Sequence, residues 1–142
     1  MKPFAAAATA AAMLLPAPAP AQALTPAERI AAARAAGFRV QGARIINECD
    51  APAETIAFER RDLNADGTAE IIVSDGGACY GQSGSMFAVL RRTNGRWSPV
   101  LQAQGVMTVL KTRRGGWADI EIGGPGFGKM PVARWTGTKY DY

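Results

Sequence analysis

The pattern of hydrophobic and polar positions predicts one N-terminal helix followed by strands. An alanine-rich segment begins at Thr25, which can cap a helix, with Pro26 at the first helical position and Glu28 three residues after the cap. Gly37 can take the left-handed conformation that ends a helix of this kind. We therefore expect a helix over residues 26–36.

Beyond this helix, short apolar or alternating segments separated by Gly, Asn and Pro predict strands. They cover residues 38–46, 55–61, 69–74, 86–92, 96–102, 106–111, 117–122, 132–135 and 139–142. Asn94-Gly95 predicts a two-residue type I′ hairpin, and Gly137 a similar turn. Since short connections favour antiparallel pairing, we expect an α+β fold: a short N-terminal helix packed on a mainly antiparallel sheet of hairpins.

One sequence pattern occurs twice. The segment GTAEIIV (67–73) aligns with GWADIEI (116–122), and in both places a glycine-rich loop and an aromatic strand follow. The pattern is compatible with two copies of a strand-loop-hairpin unit, although glycine turns and β-branched strands also resemble one another by chance. Two units are too few to close a propeller.

The first 23 residues are expected to be a signal peptide. Lys2 precedes the apolar segment 4–15, which is shorter than the ~20 residues needed to span a bilayer. The tripeptide AQA (21–23) has the small-x-small form of a cleavage site. We therefore expect a periplasmic or secreted protein with a single domain over residues 24–142 and no membrane anchor.

Composition excludes several kinds of chemistry. The 142-residue chain has no His and a formal net charge of +4. Without imidazole it cannot form a Ser-His-Asp or Cys-His catalytic apparatus, nor a His-ligated zinc site. Its arginine pairs at 60–61, 91–92 and 113–114 are dispersed along the sequence, whereas a nucleic-acid footprint requires clustered basic residues. We therefore expect no nucleic-acid partner.

The segment DLNADGTAE (62–70) carries the clearest chemical signal. Oxygen-bearing side chains at its positions 1, 3, 5 and 9, a backbone carbonyl at 7 and Gly at 6 match what Ca²⁺ requires. An EF-hand would have a bidentate Glu at position 12, where this chain has Val73, and the flanking segments resemble strands rather than helices. The alternative is a polar hairpin in which Asp66-Gly67 makes a tight turn without a metal.

This segment resembles the calcium loops of FG-GAP and integrin-type propeller repeats, in which D-x-N/D-x-D-G-x-x-D leads directly into a strand. The resemblance implies a structural Ca²⁺ and is compatible with two FG-GAP-like strand-loop-hairpin units. Glu70 stands in place of the usual Asp, and Ala65 in place of the common Gly. The implied ligands are the side chains of Asp62, Asn64, Asp66 and Glu70 and the carbonyl of Thr68.

Over about residues 37–140, the order of motifs also resembles a family of small exported bacterial proteins with no settled activity. Members of that family often carry Cys where this chain has Gly128, so a second disulfide is not expected here. The resemblance bears on the fold and leaves the function open.

Cys49 and Cys79 are the only cysteines in the chain. In an exported protein they are expected to form a disulfide, since the compartment is oxidising. Such a bond would close a loop of about 30 residues and stabilise the fold by ~3–4 kcal/mol, bracketing the acidic segment. A reactive thiol is the alternative, but no C-x-x-C spacing supports it.

Two glycine-rich segments are candidate binding loops, because long loops on a rigid scaffold often bind partners. One covers residues 75–85 and includes Tyr80 and Gly81, and the other includes Phe127. The second segment, GGPGFGKM (123–130), nearly matches a phosphate-binding P-loop. Met130, however, cannot supply the hydroxyl that binds Mg²⁺, so we expect a loop that joins two strands.

These observations favour a non-catalytic exported domain, stabilised by a disulfide and Ca²⁺, that presents its loops to an unknown protein or glycan. One alternative is an inhibitor that inserts a loop into the active site of an exported enzyme. Another is a small hydrolase that uses carboxylates among Asp62, Asp66, Glu70 and Asp75 as acid and base. A chain of this size leaves little room for a substrate cleft.

Overall fold

A computed structural model describes residues 22–126 and 128–142. Most of the predicted signal peptide and Phe127 lie outside the described residues. The elements, in order, are α1 (Pro26–Ala35), β1 (Arg39–Gln41), β2 (Arg44–Ile46), β3 (Ile56–Arg61), β4 (Glu70–Asp75), a 3₁₀ helix (Ala78–Ser83), β5 (Met86–Thr93), β6 (Arg96–Gln104), β7 (Val106–Arg114), β8 (Trp117–Gly123), β9 (Val132–Trp135) and β10 (Tyr140–Asp141).

The strands form two four-stranded antiparallel sheets and one small hairpin. The first sheet has the order β3-β4-β5-β6 and the second the order β7-β8-β9-β10, so each is a meander in which neighbours in the sequence pair. Strands β1 and β2 form the separate hairpin. The predicted α+β class and antiparallel pairing are confirmed, whereas the single sheet that we expected is two sheets.

The first sheet is the middle of three layers, between the helix α1 and the second sheet. On one face, Ile71, Val73 and Leu90 pack against Ala32 and Ala33 of α1. On the other face, side chains of both sheets form a second core that includes Ile72, Phe87, Val89, Ile120, Ile122 and Trp135. Strands β4 and β5 are therefore covered on both faces, which explains why they read as continuous apolar runs rather than as alternating ones.

The helix begins as the sequence predicts. The Thr25 hydroxyl accepts a hydrogen bond from the Glu28 N–H at 3.2 Å, and the Glu28 carboxylate accepts one from the Thr25 N–H at 2.8 Å. This capping box satisfies two amide groups that the first turn leaves without partners. No helix in residues 22–126 or 128–142 is both long enough and apolar enough to span a bilayer.

The predicted strand over residues 38–46 is wrong in one respect. Gly42, at φ +61°, turns the chain back on itself, so the segment forms the hairpin β1-β2. The Asn94-Gly95 turn is confirmed, since both residues have positive φ and Thr93 pairs with Arg96. Local rules identified the second turn because both of its residues are turn formers.

The two sheets are joined by a single residue between β6 and β7. Gly105 has φ +139°, and a Cβ built there would lie 2.2 Å from the carbonyl oxygen of Gly123. Only glycine fits at this crossing. Its N–H donates to the Ser85 carbonyl at 2.7 Å, which places the crossing beside the start of β5.

Candidate calcium loop

The acidic segment is the loop between β3 and β4, and its oxygens are turned onto its own backbone. Carboxylate oxygens of Asp62 and Asp66 accept hydrogen bonds from the N–H groups of Gly67 at 2.9 Å and Thr68 at 2.7 Å. The side-chain Oδ1 of Asn64 accepts a hydrogen bond from the Asp66 N–H at 3.1 Å, and its Nδ2 donates to the Asp66 carboxylate at 2.9 Å. Three of the five predicted ligands therefore form hydrogen bonds within the loop that carries them.

Glu70, the first residue of β4, lies at the base of this loop and is only 2% exposed. One of its carboxylate oxygens accepts a hydrogen bond from the Leu63 N–H at 2.8 Å. Burial raises the pKa of the Glu70 carboxyl above its ordinary value, and the nearby charges of Asp66 and Asp62 raise it further. Among the described residues, no Lys or Arg lies within 4.0 Å of this carboxylate.

Leu63 attaches the loop to both sheets. Its side chain is 1% exposed and lies in the core between the sheets. Its carbonyl oxygen accepts hydrogen bonds from the Ala118 N–H at 2.8 Å and from Arg113 Nη1 at 3.1 Å. The loop is consequently held from the second sheet as well as from its own strands.

The predicted ligands share one loop but are not gathered around a common point. Within the described residues, no group of three or more Cys, Asp or Glu side chains has the spacing of a metal site. The donor set is nevertheless all oxygen, which suits Ca²⁺, and Glu70 is a buried carboxylate without a cationic partner in the described chain. Calcium binding stays a prediction.

The disulfide is confirmed: Cys49 and Cys79 are bonded, with Cα atoms 5.8 Å apart. We expected the disulfide to lie beside the acidic loop, but it does not. Cys79 follows the end of β4, whereas the loop 62–69 precedes its start, so β4 separates them by about 20 Å. The bonded cysteines line a surface cleft of about 480 Å³ together with Asn47, Thr55 and Asp75.

Asp75 anchors the segment around Cys49. It is fully buried and accepts hydrogen bonds from Thr55 Oγ1 at 2.5 Å and Asn47 Nδ2 at 3.3 Å. The side-chain Oδ1 of Asn47 in turn accepts hydrogen bonds from the N–H groups of Cys49 and Ala51. The described contacts of Asp75 therefore position a loop, whereas we expected this residue to begin a binding loop or, in the hydrolase alternative, to act as an acid or base.

Of the candidate binding-loop residues, Tyr80 is only 5% exposed and lies in the core under the helix. This burial corrects the expectation that its side chain lines a recognition surface. Gly81 is exposed, and Phe127 is outside the described residues. The Tyr80 hydroxyl is buried without a hydrogen-bond partner in the described chain. Burial, together with the charge of Asp75, raises the pKa of Tyr80 to about 12.

We expect the protein to lose stability between about pH 10 and pH 12. Unfolded tyrosines release their protons near pH 10, whereas burial holds the pKa values of Tyr80 and Tyr140 higher in the folded state. The unfolded state therefore binds fewer protons, and stability falls by up to ~1.4 kcal/mol per pH unit for each tyrosine. Urea unfolding of wild type and Tyr80→Phe at pH 9, 10 and 11 measures this slope. An identical slope in the variant would contradict the assignment to Tyr80.

The three arginine pairs, which we expected to be dispersed, lie at one end of the molecule. Pairs 60–61, 91–92 and 113–114 stand at the ends of β3, β5 and β7. Strands β3 and β5 both pair antiparallel with β4, so they run in the same direction. Contact of Arg113 with the Leu63 carbonyl places the end of β7 there too. Alternation of strand direction in a meander is the signal that could have indicated this clustering.

Comparison with known proteins gives no assignment. No protein-family model, curated protein or solved structure matches the chain.

Proposed function

We propose that this chain is a non-catalytic exported binding domain whose loop 62–70 holds one Ca²⁺. The proposed ligands are the side chains of Asp62, Asn64, Asp66 and Glu70 and the carbonyl of Thr68. The observation that carries the proposal is the burial of Glu70 at the base of a loop that carries two further carboxylates, with no protein cation within 4.0 Å of Glu70 among the described residues. Buried carboxylates are normally paired or bound to a metal.

The proposed role of Ca²⁺ is structural. The loop is tied to the second sheet through Leu63, so a cation that fixes the loop also strengthens the contact between the sheets. Each carboxylate oxygen that accepts one loop N–H keeps a further lone pair for a cation. The disulfide is compatible with the proposed export, because such bonds persist in oxidising compartments.

We also propose that the two meanders are copies of one FG-GAP-like unit, of which only the first keeps the ligands. The identical strand order supports this, as does the burial of Asp119, which aligns with Glu70. Asp62 and Asn64 align with Lys111 and Arg113. Asp119 lies 3.8 Å from Arg134, so in the second unit a protein cation stands near the buried acid. One Ca²⁺ per chain is therefore expected.

Thermal unfolding with CaCl₂ or EDTA at pH 7 tests the calcium site. At 100 times Kd, Ca²⁺ adds about 2.7 kcal/mol, which raises Tm by several degrees. Glu70→Gln is expected to abolish this rise. In EDTA the same variant is expected to be at least as stable as wild type, because it removes a buried charge and keeps an acceptor for the Leu63 N–H.

The matched control is Asp141→Asn, which removes an exposed carboxylate outside the loop and is expected to keep the full response to Ca²⁺. Calorimetric titration gives the stoichiometry. Absence of binding heat and of a Tm shift at millimolar Ca²⁺ would sink the calcium proposal, and two bound ions would contradict the unequal units.

A further inference from the structure

The end of the molecule that holds the acidic loop is strongly basic. We define the basic end as the strand ends and turns around loop 62–69, the turns 94–95 and 115–116, and residues 136–139. These lie together because the contacts of Leu63 with Ala118 and Arg113 join the two sheets at this end. Its cationic side chains are Arg60, Arg61, Arg91, Arg92, Arg96, Arg113, Arg114 and Lys139.

Most of these cations have no carboxylate partner in the described chain. Within 4.0 Å, only Arg60 and Arg61 reach one, on Glu28 and Glu59 respectively. Arg92, Arg96 and Arg114 are exposed at the strand ends. Six of the eight cations therefore lack a carboxylate within 4.0 Å in the described chain, while the acidic loop supplies negative charge at the same end.

Several guanidinium groups are held in place by neutral partners. The Arg91 guanidinium lies 5.4 Å from the centre of the Trp117 ring, and that of Arg92 lies 5.6 Å from Trp97. Arg113 Nη1 donates to the carbonyls of Leu63 and Gly116. Such contacts fix the side chains without cancelling their charge, so a ligand would meet preorganised donors.

The opposite end carries exposed charges of both signs. Exposed Glu48, Asp50 and Glu54 surround the disulfide, and of these Asp50 pairs with Arg39. Positive charge is therefore most concentrated at the basic end, which favours binding of an anionic ligand there.

We propose that the basic end binds an acidic polysaccharide. Seven of its eight cations are Arg, whose planar fork suits carboxylate and sulfate oxygens. Among the described residues, the exposed large apolar side chains are Val106, at the other end of β7, and Tyr142, so nothing apolar projects from this end into a membrane. The aromatic rings of Trp117, Trp135 and Tyr140 are buried, and the Arg92 guanidinium lies over the partly buried ring of Trp97, so this end presents no row of exposed rings on which nucleobases stack.

The polysaccharide proposal does not require the calcium proposal, but the two are linked. The unpaired carboxylates at this end lie in the loop, on Asp62, Asp66 and Glu70. Ca²⁺ on that loop would neutralise them and leave the surrounding arginines unopposed. Binding of a polyanion is then expected to tighten in Ca²⁺ only if the calcium proposal is right.

Fluorescence anisotropy with labelled hyaluronate oligosaccharides, between 20 and 300 mM NaCl, tests the proposal on the intact domain. We expect binding that weakens steadily with salt. The variant Arg92→Gln/Arg96→Gln/Arg114→Gln should bind about tenfold more weakly, because it removes three exposed ionic contacts that are each modest. The control Arg34→Gln/Arg39→Gln/Arg44→Gln loses the same charge from exposed positions elsewhere and should change Kd less than twofold.

The outcomes separate the two proposals. Equal losses in the two triple variants would reduce the effect to net charge and overturn the site. Tighter binding of single-stranded DNA or of anionic vesicles than of hyaluronate would overturn the ligand class, as would equal binding of neutral dextran. If hyaluronate binding is lost only in the basic-end variant yet is unaffected by Ca²⁺, the polysaccharide site stands and the calcium site fails. Circular dichroism of all variants verifies that they fold.

Discussion

Replacing Leu63 by Ala is expected to lower the free energy of unfolding by about 2–5 kcal/mol. Although Leu63 belongs to a polar loop, its side chain is 1% exposed and fills the core between the two sheets. Truncation leaves a cavity beneath Trp117 and Tyr140 and loosens the backbone that binds Ala118 and Arg113. Since small domains are stable by only ~5–15 kcal/mol, this is a large fraction of the total. Urea unfolding followed by tryptophan fluorescence measures the loss.

Val106→Ala is the matched control, because Val106 is 58% exposed. It should change stability by no more than about 0.5 kcal/mol. A cost for Leu63→Ala as small as that of the control would show that the loop is not anchored between the sheets. If the calcium proposal is right, Leu63→Ala should also weaken Ca²⁺ binding, since the amide of residue 63 positions Glu70.

Removing the disulfide through Cys49→Ala/Cys79→Ala is expected to cost about 3–4 kcal/mol. The two cysteines are 30 residues apart, and the chain-entropy relation for a loop of that length gives this magnitude. The bond also fixes the segment around Asn47, whose hydrogen bonds depend on Asp75. Thermal and urea unfolding measure the effect, and wild type unfolded with a reductant present should match the double variant.

A loss below about 1 kcal/mol would mean that the polar contacts of Asp75 hold this segment without the bond. Thr55→Val then becomes the informative variant, because it removes one hydrogen bond to a buried carboxylate and keeps the shape of the side chain. A cost near 3–4 kcal/mol in the double variant, with a smaller one in Thr55→Val, supports the covalent restraint as the larger contribution.

Features set by neighbouring residues could be predicted from the sequence. Thr25 and Glu28 form the expected capping box, and Asn94-Gly95 forms the expected turn, because each depends on a few consecutive residues. The turn at Gly42 was missed because the residues on either side of it, RVQ and ARII, read as one continuous strand. The division into two sheets could not be predicted, since it depends on Gly105 crossing close to Gly123, eighteen residues further along the chain.

The candidate site shows the same limit. The spacing of Asp62, Asn64 and Asp66 predicted that they share one loop. The burial of Glu70, and the attachment of the loop to both sheets through Leu63, are seen only in the structure. Tyr80 was misplaced because a glycine-rich loop suggests exposure, whereas its ring is covered by the helix. The arginine pairs lie at one end because the strands that carry them run in the same direction, and the spacing of residues along the sequence does not show this.

The meander order of both sheets has a consequence for how fast this chain folds. Every strand pair in the two four-stranded sheets joins neighbours in the sequence, so each sheet can form through short-range hairpin closure. Folding rates fall as the mean sequence separation of contacts rises, and Greek-key sandwiches must close much longer loops. This protein should therefore fold faster than a Greek-key sandwich of the same length, with docking of the two sheets as the step that creates their shared core.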